Sequence, residues 1–220
     1  TTPTFTVTPT VCYVAGGATC TPVPALYVAL GDSISYGSDL ADVTDRFVDL
    51  LANNKDATWP AYAGKDFSSA DPTLQSLNLS YPGHKTSDVI ATQLPLIPTG
   101  INSPTLVSIL IGGNELLSDC GGTPCDGGVR GCTLEQGTTW SYLFKARLKV
   151  QIVQALQNQA LYPRVQKIAI GNIYDPTDGG GFPGWSAGVD VLSVYNARIR
   201  EVAEETGVSL ADVHGAFMGH

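Results

Sequence analysis

The sequence is poor in basic residues and has no long hydrophobic run. Its 220 residues include 12 Lys or Arg against 20 Asp or Glu, which gives a net charge of −8 and an isoelectric point near 4.6. Nucleic acids and anionic membrane surfaces bind basic patches, so neither is an expected partner. No stretch approaches the roughly 18 apolar residues that a membrane-spanning helix needs, so we expect no integral membrane segment.

The spacing of the five cysteines argues against a zinc site. The cysteines form two local groups without a C-x-x-C pair or nearby histidines, at Cys12, Cys20, Cys120, Cys125 and Cys132. We expect disulfide-closed loops and therefore an oxidising, extracellular compartment. Cys12 is predicted to pair with Cys20, and two of the other three to form a second pair. The fifth cysteine is left free or pairs outside this chain.

Charged residues are few as well, at 15%, whereas the chain holds 24 Gly and 14 Pro. This composition favours a compact α/β protein with long surface loops over a helical bundle. Residues 1–25 are rich in Thr and Pro and show no periodicity, so we predict a linker there, pinned by a disulfide loop. Residues 26–220 are predicted to form one domain. The polar start is that expected of a mature or trimmed chain.

Short apolar runs alternate with helical patterns along this domain. The runs predict buried strands at 26–30, 76–80, 105–111, 166–173 and 208–213. The helical patterns span 42–54, 86–95, 138–161 and 188–206, and the Gly-rich segments 118–137 and 175–187 are predicted loops. The alternation predicts a doubly wound parallel sheet with helices on both faces. Ligands bind such sheets outside the carboxyl ends of the strands, so the chemistry is expected just after each strand.

Gly31-Asp32-Ser33 follows the first predicted strand. A serine on this turn exposes its hydroxyl beside backbone amides that can stabilise an oxyanion. The alternative interpretation is that Ser33 is only a helix cap, since Ser is a favoured N-cap residue. The pattern G-x-S-x-G is missing because Ser35 stands two positions after Ser33, which argues against a lipase-type α/β-hydrolase.

The next two strand ends supply candidate hydrogen-bond donors. Gly83 lies in the segment SYPGH after the second strand, and its backbone N–H can donate. Asn114 follows two glycines after the third strand, and its side-chain amide can donate. Each residue alone is more typical of an ordinary turn or loop. A nucleophile and two donors at neighbouring strand ends converge on one point, which predicts an acyl-transfer site.

The segments ALYVALGDSISYG, LNLSYPGHKTSDV and LVSILIGGNELL resemble the first three sequence blocks of the SGNH (GDSL-type) hydrolases. The resemblance covers about residues 26–220 and implies a flavodoxin-like three-layer α/β/α fold with a five-stranded parallel sheet. It implies a secreted serine esterase or lipase in which Ser33 forms an acyl-enzyme. The Ser33 and Gly83 backbone N–H groups and the Asn114 side chain would hold the oxyanion. It implies no cofactor and no metal, and a small-molecule or polysaccharide ester as substrate.

The Asp-x-x-His that this family carries near its C-terminus is missing. The nearest match, Asp212-Val213-His214, has the wrong spacing. We expect the chain to stop short of its catalytic Asp and His, which a C-terminal fragment or a second chain would then supply. If the chain truly ends at residue 220, His214 or His220 becomes the candidate base.

Two other polar residues stand beside the predicted donors. Glu115 occupies the position where the family usually has Asp, and we expect activity to tolerate this change because the side chain is not an oxyanion donor. His84 is expected to support the site rather than to act as the base. The alternative function is a non-catalytic SGNH-like module that binds a glycan or an acyl ligand, which the missing base would favour.

Overall fold

A five-stranded parallel sheet lies at the centre of the protein. The computed structural model describes residues 24–38, 40–99, 104–121, 124–125 and 129–219. The strands are Leu26–Gly31 (β1), Gln75–Asn78 (β2), Thr105–Leu110 (β3), Pro124–Cys125 (β4), Val129–Arg130 (β5), Val165–Gly171 (β6) and Ser209–Ala211 (β7). The sheet order is β2-β1-β3-β6-β7 with every pair parallel, and β4 and β5 form a separate antiparallel pair. The predicted flavodoxin-like order of the five main strands is thereby confirmed.

The helices connect these strands and include several irregular turns. The α-helices are Ser33–Tyr36 (α1), Phe47–Ala52 (α2), Phe67–Ala70 (α3), Thr86–Asp88 (α4), Leu134–Ala146 (α5), Gln154–Gln157 (α6), Gly188–Thr206 (α7) and Val213–Phe217 (α8). Turns of π-helix follow α4 at Val89–Gln93 and α5 at Arg147–Val153, and another spans Glu115–Gly121. Helix α7 has the predicted bounds. The predicted helix 42–54 is instead a 3₁₀ turn, Val43–Asp45, followed by α2.

The prediction that residues 118–137 form only a loop is wrong. The segment contains the end of a π-helix, the β4–β5 pair and the start of α5. Helix α5 begins at Leu134 because Thr133 and Gln136 form a capping box, in which the Thr133 Oγ1 accepts the Gln136 N–H at 3.2 Å. The predicted start at residue 138 is four residues too late.

The two faces of the sheet are covered unequally. One face carries the larger core, where Val28, Ile109 and Ile170 pack under the layer formed by α4 to α7. On the other face Tyr27 packs against α2. Strands β6 and β7 have small or polar residues on this second face, and some of them, such as Ala211, are exposed. No described helix is long and apolar enough to cross a membrane.

The loop 175–187 folds back onto the segment before α5. Trp185 is buried, and its indole N–H donates to the carbonyl of Cys132 at 2.8 Å. Its ring lies 5.4 Å from that of Phe182, so both aromatics pack within the protein's own loops. Cys132 is disulfide-bonded. The side chains of Cys120 and Cys125, and the predicted linker up to residue 23, lie outside the described part of the chain, so the pairing scheme stays a prediction.

Candidate active site

Ser33 begins helix α1 directly after β1. Asp32 is the N-cap of this helix, since its Oδ1 accepts the Ile34 N–H at 3.0 Å. The alternative interpretation of Ser33 as the cap is therefore wrong. Gly31, the last residue of β1, has no room for a side chain, because an added Cβ would lie 2.4 Å from the Leu110 carbonyl oxygen. Ser33 remains partly exposed at the carboxyl edge of the sheet.

Gly83 lies in a tight turn beside the end of β1. The Tyr81 N–H donates to the Gly31 carbonyl at 3.2 Å, so the pairing of β2 with β1 continues beyond the strand. The His84 N–H then donates to the Tyr81 carbonyl at 3.3 Å and closes the turn. Gly83 has a φ of +80° and is exposed, which is a conformation that glycine adopts without a steric penalty.

Asn114 joins the end of β3 to this turn. Its Nδ2 donates to the His84 carbonyl at 2.9 Å. The residues after β2 and β3 are thus in contact, and β1 lies between these two strands in the sheet. The convergence of Ser33, Gly83 and Asn114 on one point stays a prediction. The backbone just before Asn114 is closely packed, since a Cβ on Gly112 would lie 2.9 Å from the side chains of Ile173 and Phe144.

A buried glutamine that the sequence analysis missed links the same segments. The Gln93 side chain is 1% exposed, and its Oε1 accepts the Gly31 N–H at 2.9 Å. Its Nε2 donates to the Gly31 carbonyl at 2.7 Å and lies 2.9 Å from His84 Nδ1. The one signal in the sequence is that Gln93 stands four positions after the apolar Val89. A polar residue on the buried face of a helix needs a partner.

Two carboxylates are buried beneath this edge. Burial raises the pKa of Asp32 to about 6; the Ile34 N–H opposes the rise and the charge of Glu115 adds to it. Glu115 is itself 3% exposed, and its Oε1 accepts the Thr86 N–H at 2.5 Å. Glu115 therefore holds the first turn of α4 in place.

The far edge of the sheet has its own hydrogen-bond cluster. Asn172 donates through Nδ2 to Asp212 Oδ1 at 2.7 Å and accepts the His214 N–H at 2.7 Å. His214 Nδ1 is buried and has no hydrogen-bond partner among the described residues. Strand β7 stands three places from β1, or about 14 Å at the usual strand spacing. The hydrogen bonds described for His214 stay on the β6–β7 side, and His220 lies outside the described residues.

Asp175 closes a turn at the same far edge. Its Oδ1 accepts the N–H and the hydroxyl of Thr177 at 2.8 and 2.7 Å, and its Oδ2 accepts the Gly179 N–H at 3.0 Å. Burial raises the pKa of Asp175, but these hydrogen bonds and nearby His214 outweigh it, so the pKa lies below its ordinary value. The segment 175–179 is thus an ordinary turn. Within the described ranges, no group of three or more His, Cys, Asp or Glu side chains could hold a metal.

Known proteins with similar sequences and folds are lipases and esterases. Lipase 2 of Streptomyces coelicolor is 28% identical over 221 residues, which cover 88% of this chain and 71% of that protein. The fold matches an extracellular lipase of Streptomyces rimosus, with 23% identity, 89% and 83% coverage of the two chains and a TM-score of 0.57. Phospholipase A1 of Streptomyces albidoflavus matches with 21% identity, 90% and 83% coverage and a TM-score of 0.52.

The family assignment rests on the sequence over most of the domain. Residues 29–220 match the model of the GDSL-like lipase/acylhydrolase family. The matched range includes the three strand ends that carry Ser33, Gly83 and Asn114. The five-stranded parallel sheet agrees with the solved folds of such enzymes. The chain therefore belongs to the GDSL-like lipase/acylhydrolase family and is a hydrolase of the SGNH type, similar to lipases and esterases.

Proposed function

We propose that the protein hydrolyses carboxylic esters through an acyl-enzyme formed on Ser33. The observation that carries the proposal is the hydrogen bond from Asn114 to the His84 carbonyl, 2.9 Å long, at the sheet edge where Ser33 follows β1. This contact joins Asn114, one candidate donor, to the turn that contains Gly83, a second candidate donor. Donors fixed before the substrate arrives are what oxyanion stabilisation requires.

The proposed reaction has two steps. The Ser33 Oγ attacks the acyl carbon while a base takes its proton, and the ester oxygen leaves as the alcohol with that proton. Water then attacks the acyl-enzyme, and the carboxylic acid and Ser33 are released. In both steps the N–H groups of Ser33 and Gly83 and the Asn114 amide bind the oxyanion. An amide nitrogen has two hydrogens, so Asn114 can bond His84 and keep one for the substrate.

The general base is proposed to be a histidine on an Asp-x-x-His segment outside residues 1–220, from a C-terminal fragment or a second chain. The far position of His214 supports this assignment, because β7 is three strands from β1. His214 or His220 becomes the candidate base if the native protein has the mass of residues 1–220 alone, 23.1 kDa, and is active. Intact mass and hydrolysis of p-nitrophenyl acetate, measured on the same native sample, separate the two assignments.

Secretion is part of the same proposal. The acidic composition and the disulfide at Cys132 are both compatible with an oxidising extracellular compartment. One of the similar structures is named an extracellular lipase. Detection of the native protein in culture medium, but not in washed cells, would agree with secretion, and the reverse distribution would contradict it.

The direct test of the nucleophile is covalent labelling. An alkyl phosphonate that reacts with nucleophilic serines should add one group per chain, and peptide mass spectrometry should locate it on Ser33. Ser33→Ala should abolish both the label and p-nitrophenyl acetate hydrolysis. The control is Ser193→Ala on the exposed side of α7, where the hydroxyl bonds only the helix carbonyl of Val189 at 3.0 Å. A folded Ser33→Ala variant with full turnover would refute the proposal.

A further inference from the structure

The Gln93 side chain bridges the two turns that hold the proposed nucleophile and oxyanion donors. It bonds both the N–H and the carbonyl of Gly31, two residues before Ser33. Through His84 it also reaches the turn of Gly83, since Nε2 lies 2.9 Å from His84 Nδ1. The His84 carbonyl in turn accepts from Asn114. One fully buried amide thus lies between all three proposed catalytic elements.

The two bonds to Gly31 fix the orientation of the Gln93 amide. If the amide were rotated by half a turn, Oε1 would face the Gly31 carbonyl and Nε2 would face the Gly31 N–H, and both contacts would become repulsive. The Nε2–H₂ group must therefore face His84. A nitrogen that faces an N–H donor has to accept, so His84 Nδ1 carries no proton. The neutral ring then holds its proton on Nε2.

We propose that Gln93 is a positioning residue for ester hydrolysis, which holds the Ser33 turn against the Gly83 turn and fixes His84 in the tautomer protonated at Nε2. The inference rests on the proposed function of Ser33. The hydrogen bonds described for Gln93 go to Gly31 and His84, so we assign it a positioning role and not a catalytic one. Its location on the π-helical turn Val89–Gln93 agrees with the frequent use of such turns at functional sites.

The first experiment measures the tautomer of His84 in the unmodified protein. Histidine-selective ¹⁵N labelling and a two-bond ¹H–¹⁵N correlation spectrum at pH 8 distinguish a protonated Nε2 from a protonated Nδ1, and His84→Gln assigns the signals. We expect the proton on Nε2. A proton on Nδ1 would overturn the inference, and this result needs no enzymatic activity.

The second experiment replaces Gln93. Gln93→Met keeps nearly the same length and volume but removes both polar atoms, so the two turns lose their common support. We expect kcat to fall about 10- to 100-fold with KM changed less than about threefold, because misplaced donors act on the transition state. The fixed His84 tautomer should also be lost. Gln157→Met on α6, where Nε2 donates to the Thr206 carbonyl at 2.8 Å, is the matched control and should leave both readouts unchanged.

The phosphonate label separates the possible failures. If Ser33 of the unmodified protein is not labelled, the proposed function fails. If Ser33 is labelled and folded Gln93→Met keeps the label rate, kcat and tautomer of the unmodified protein, only the Gln93 inference fails. If Gln93→Met does not fold, Gln93→Glu gives the answer, because its carboxylate can accept from Gly31 but cannot donate to the Gly31 carbonyl or to His84. Unchanged turnover in Gln93→Glu at pH 8 would then contradict the inference.

Discussion

Two buried aspartates follow different strands at the carboxyl edge of the sheet, and their pKa values shift in opposite directions. Asp32, at the end of β1, is 4% exposed; its burial and the charge of Glu115 raise its pKa to about 6, although it accepts the Ile34 N–H. Asp175, beyond β6, is 5% exposed but receives three hydrogen bonds and has His214 nearby, so its pKa is lowered. The two carboxyl groups are almost equally buried, and the difference between their pKa values comes from their hydrogen bonds and neighbouring charges.

The difference separates the edge that carries the proposed catalytic residues from the rest of the carboxyl edge. At the β1–β3 edge, hydrogen bonds involve the ends of three strands: Gly31 at the end of β1 bonds Gln93, and Asn114 after β3 donates to His84 after β2. At the β6–β7 edge, Asp175 closes a local turn, and the bonds of Asn172 connect only the two neighbouring strand ends. The first arrangement connects the turns that carry the proposed nucleophile and oxyanion donors, whereas the second closes a local turn and joins two strand ends.

The largest expected effect concerns two asparagines, Asn114 at the β1–β3 edge and Asn172 at the β6–β7 edge. Asn114→Ala should lower kcat about 10²- to 10³-fold, because one oxyanion donor is removed. Asn172→Ala should leave kcat within about threefold but lower the free energy of unfolding by about 1–3 kcal/mol, since Asp212 and His214 lose a buried partner. Steady-state kinetics and urea unfolding on both variants give the two numbers. Equal losses of kcat would erase the distinction between the edges.

The two aspartates should make the stability of the protein depend on pH in opposite directions. Folded Asp32 keeps its proton up to a pH of about 6, whereas the unfolded chain releases it near 3.8. Unfolding therefore releases a proton in this window, and the free energy of unfolding falls as the pH rises through it. Asp32→Asn keeps the cap and removes the charge, so at pH 8 it should stabilise the protein by up to about 3 kcal/mol. The gain should vanish below a pH of about 4.

Asp175→Asn is the opposite case and serves as the control. The folded pKa of Asp175 lies below its ordinary value, so its contribution to stability is present at neutral pH and is lost as the pH falls through the folded pKa. Its replacement should destabilise the protein at pH 7 and matter less in acid. Urea unfolding at pH 4, 6 and 8 measures both series. A change of the same sign in both variants would contradict the assigned pKa directions.

The strand ends could be predicted from the sequence because the physical signal there is local. A parallel strand buried on both faces must be apolar throughout, and LYVAL before Gly31 meets this condition. Once the strands are placed, their carboxyl ends must lie along one edge, and this alone predicts that Ser33, Gly83 and Asn114 lie at the same edge.

Features that depend on distant partners could not be predicted in the same way. The bonds of Gln93 join it to Gly31, 62 residues away, and no local pattern specifies that pairing. The bounds of the helical segment containing Gln93 were predicted, but its π-helical turn was not. The early start of α5 is different, because the capping box of Thr133 and Gln136 is visible in the sequence and was overlooked.

A smaller effect is expected at two glycines with similar backbones. Gly83 and Gly207 have φ values of +80° and +71°, and a Cβ at either would meet no heavy atom within 4 Å. Alanine at either site should cost about 1 kcal/mol of stability through the backbone conformation alone. Only Gly83→Ala should also lower kcat, by about tenfold, because relief of the strain moves the donor N–H. A loss of kcat in Gly207→Ala as large as that in Gly83→Ala would show that general destabilisation explains both.

The smallest expected effect is at His214. In the native protein His214→Ala should change kcat less than about threefold at pH 8, because the hydrogen bonds described for this residue run to Asn172 rather than toward β1. The backbone N–H that bonds Asn172 is kept, and a buried Nδ1 without a described partner is removed, so the protein should be as stable or more stable. A loss of kcat above 10³-fold, with the Ser33 phosphonate label also lost, would make His214 the base. The far edge would then be catalytic, and β7 would have to approach Ser33 when substrate binds.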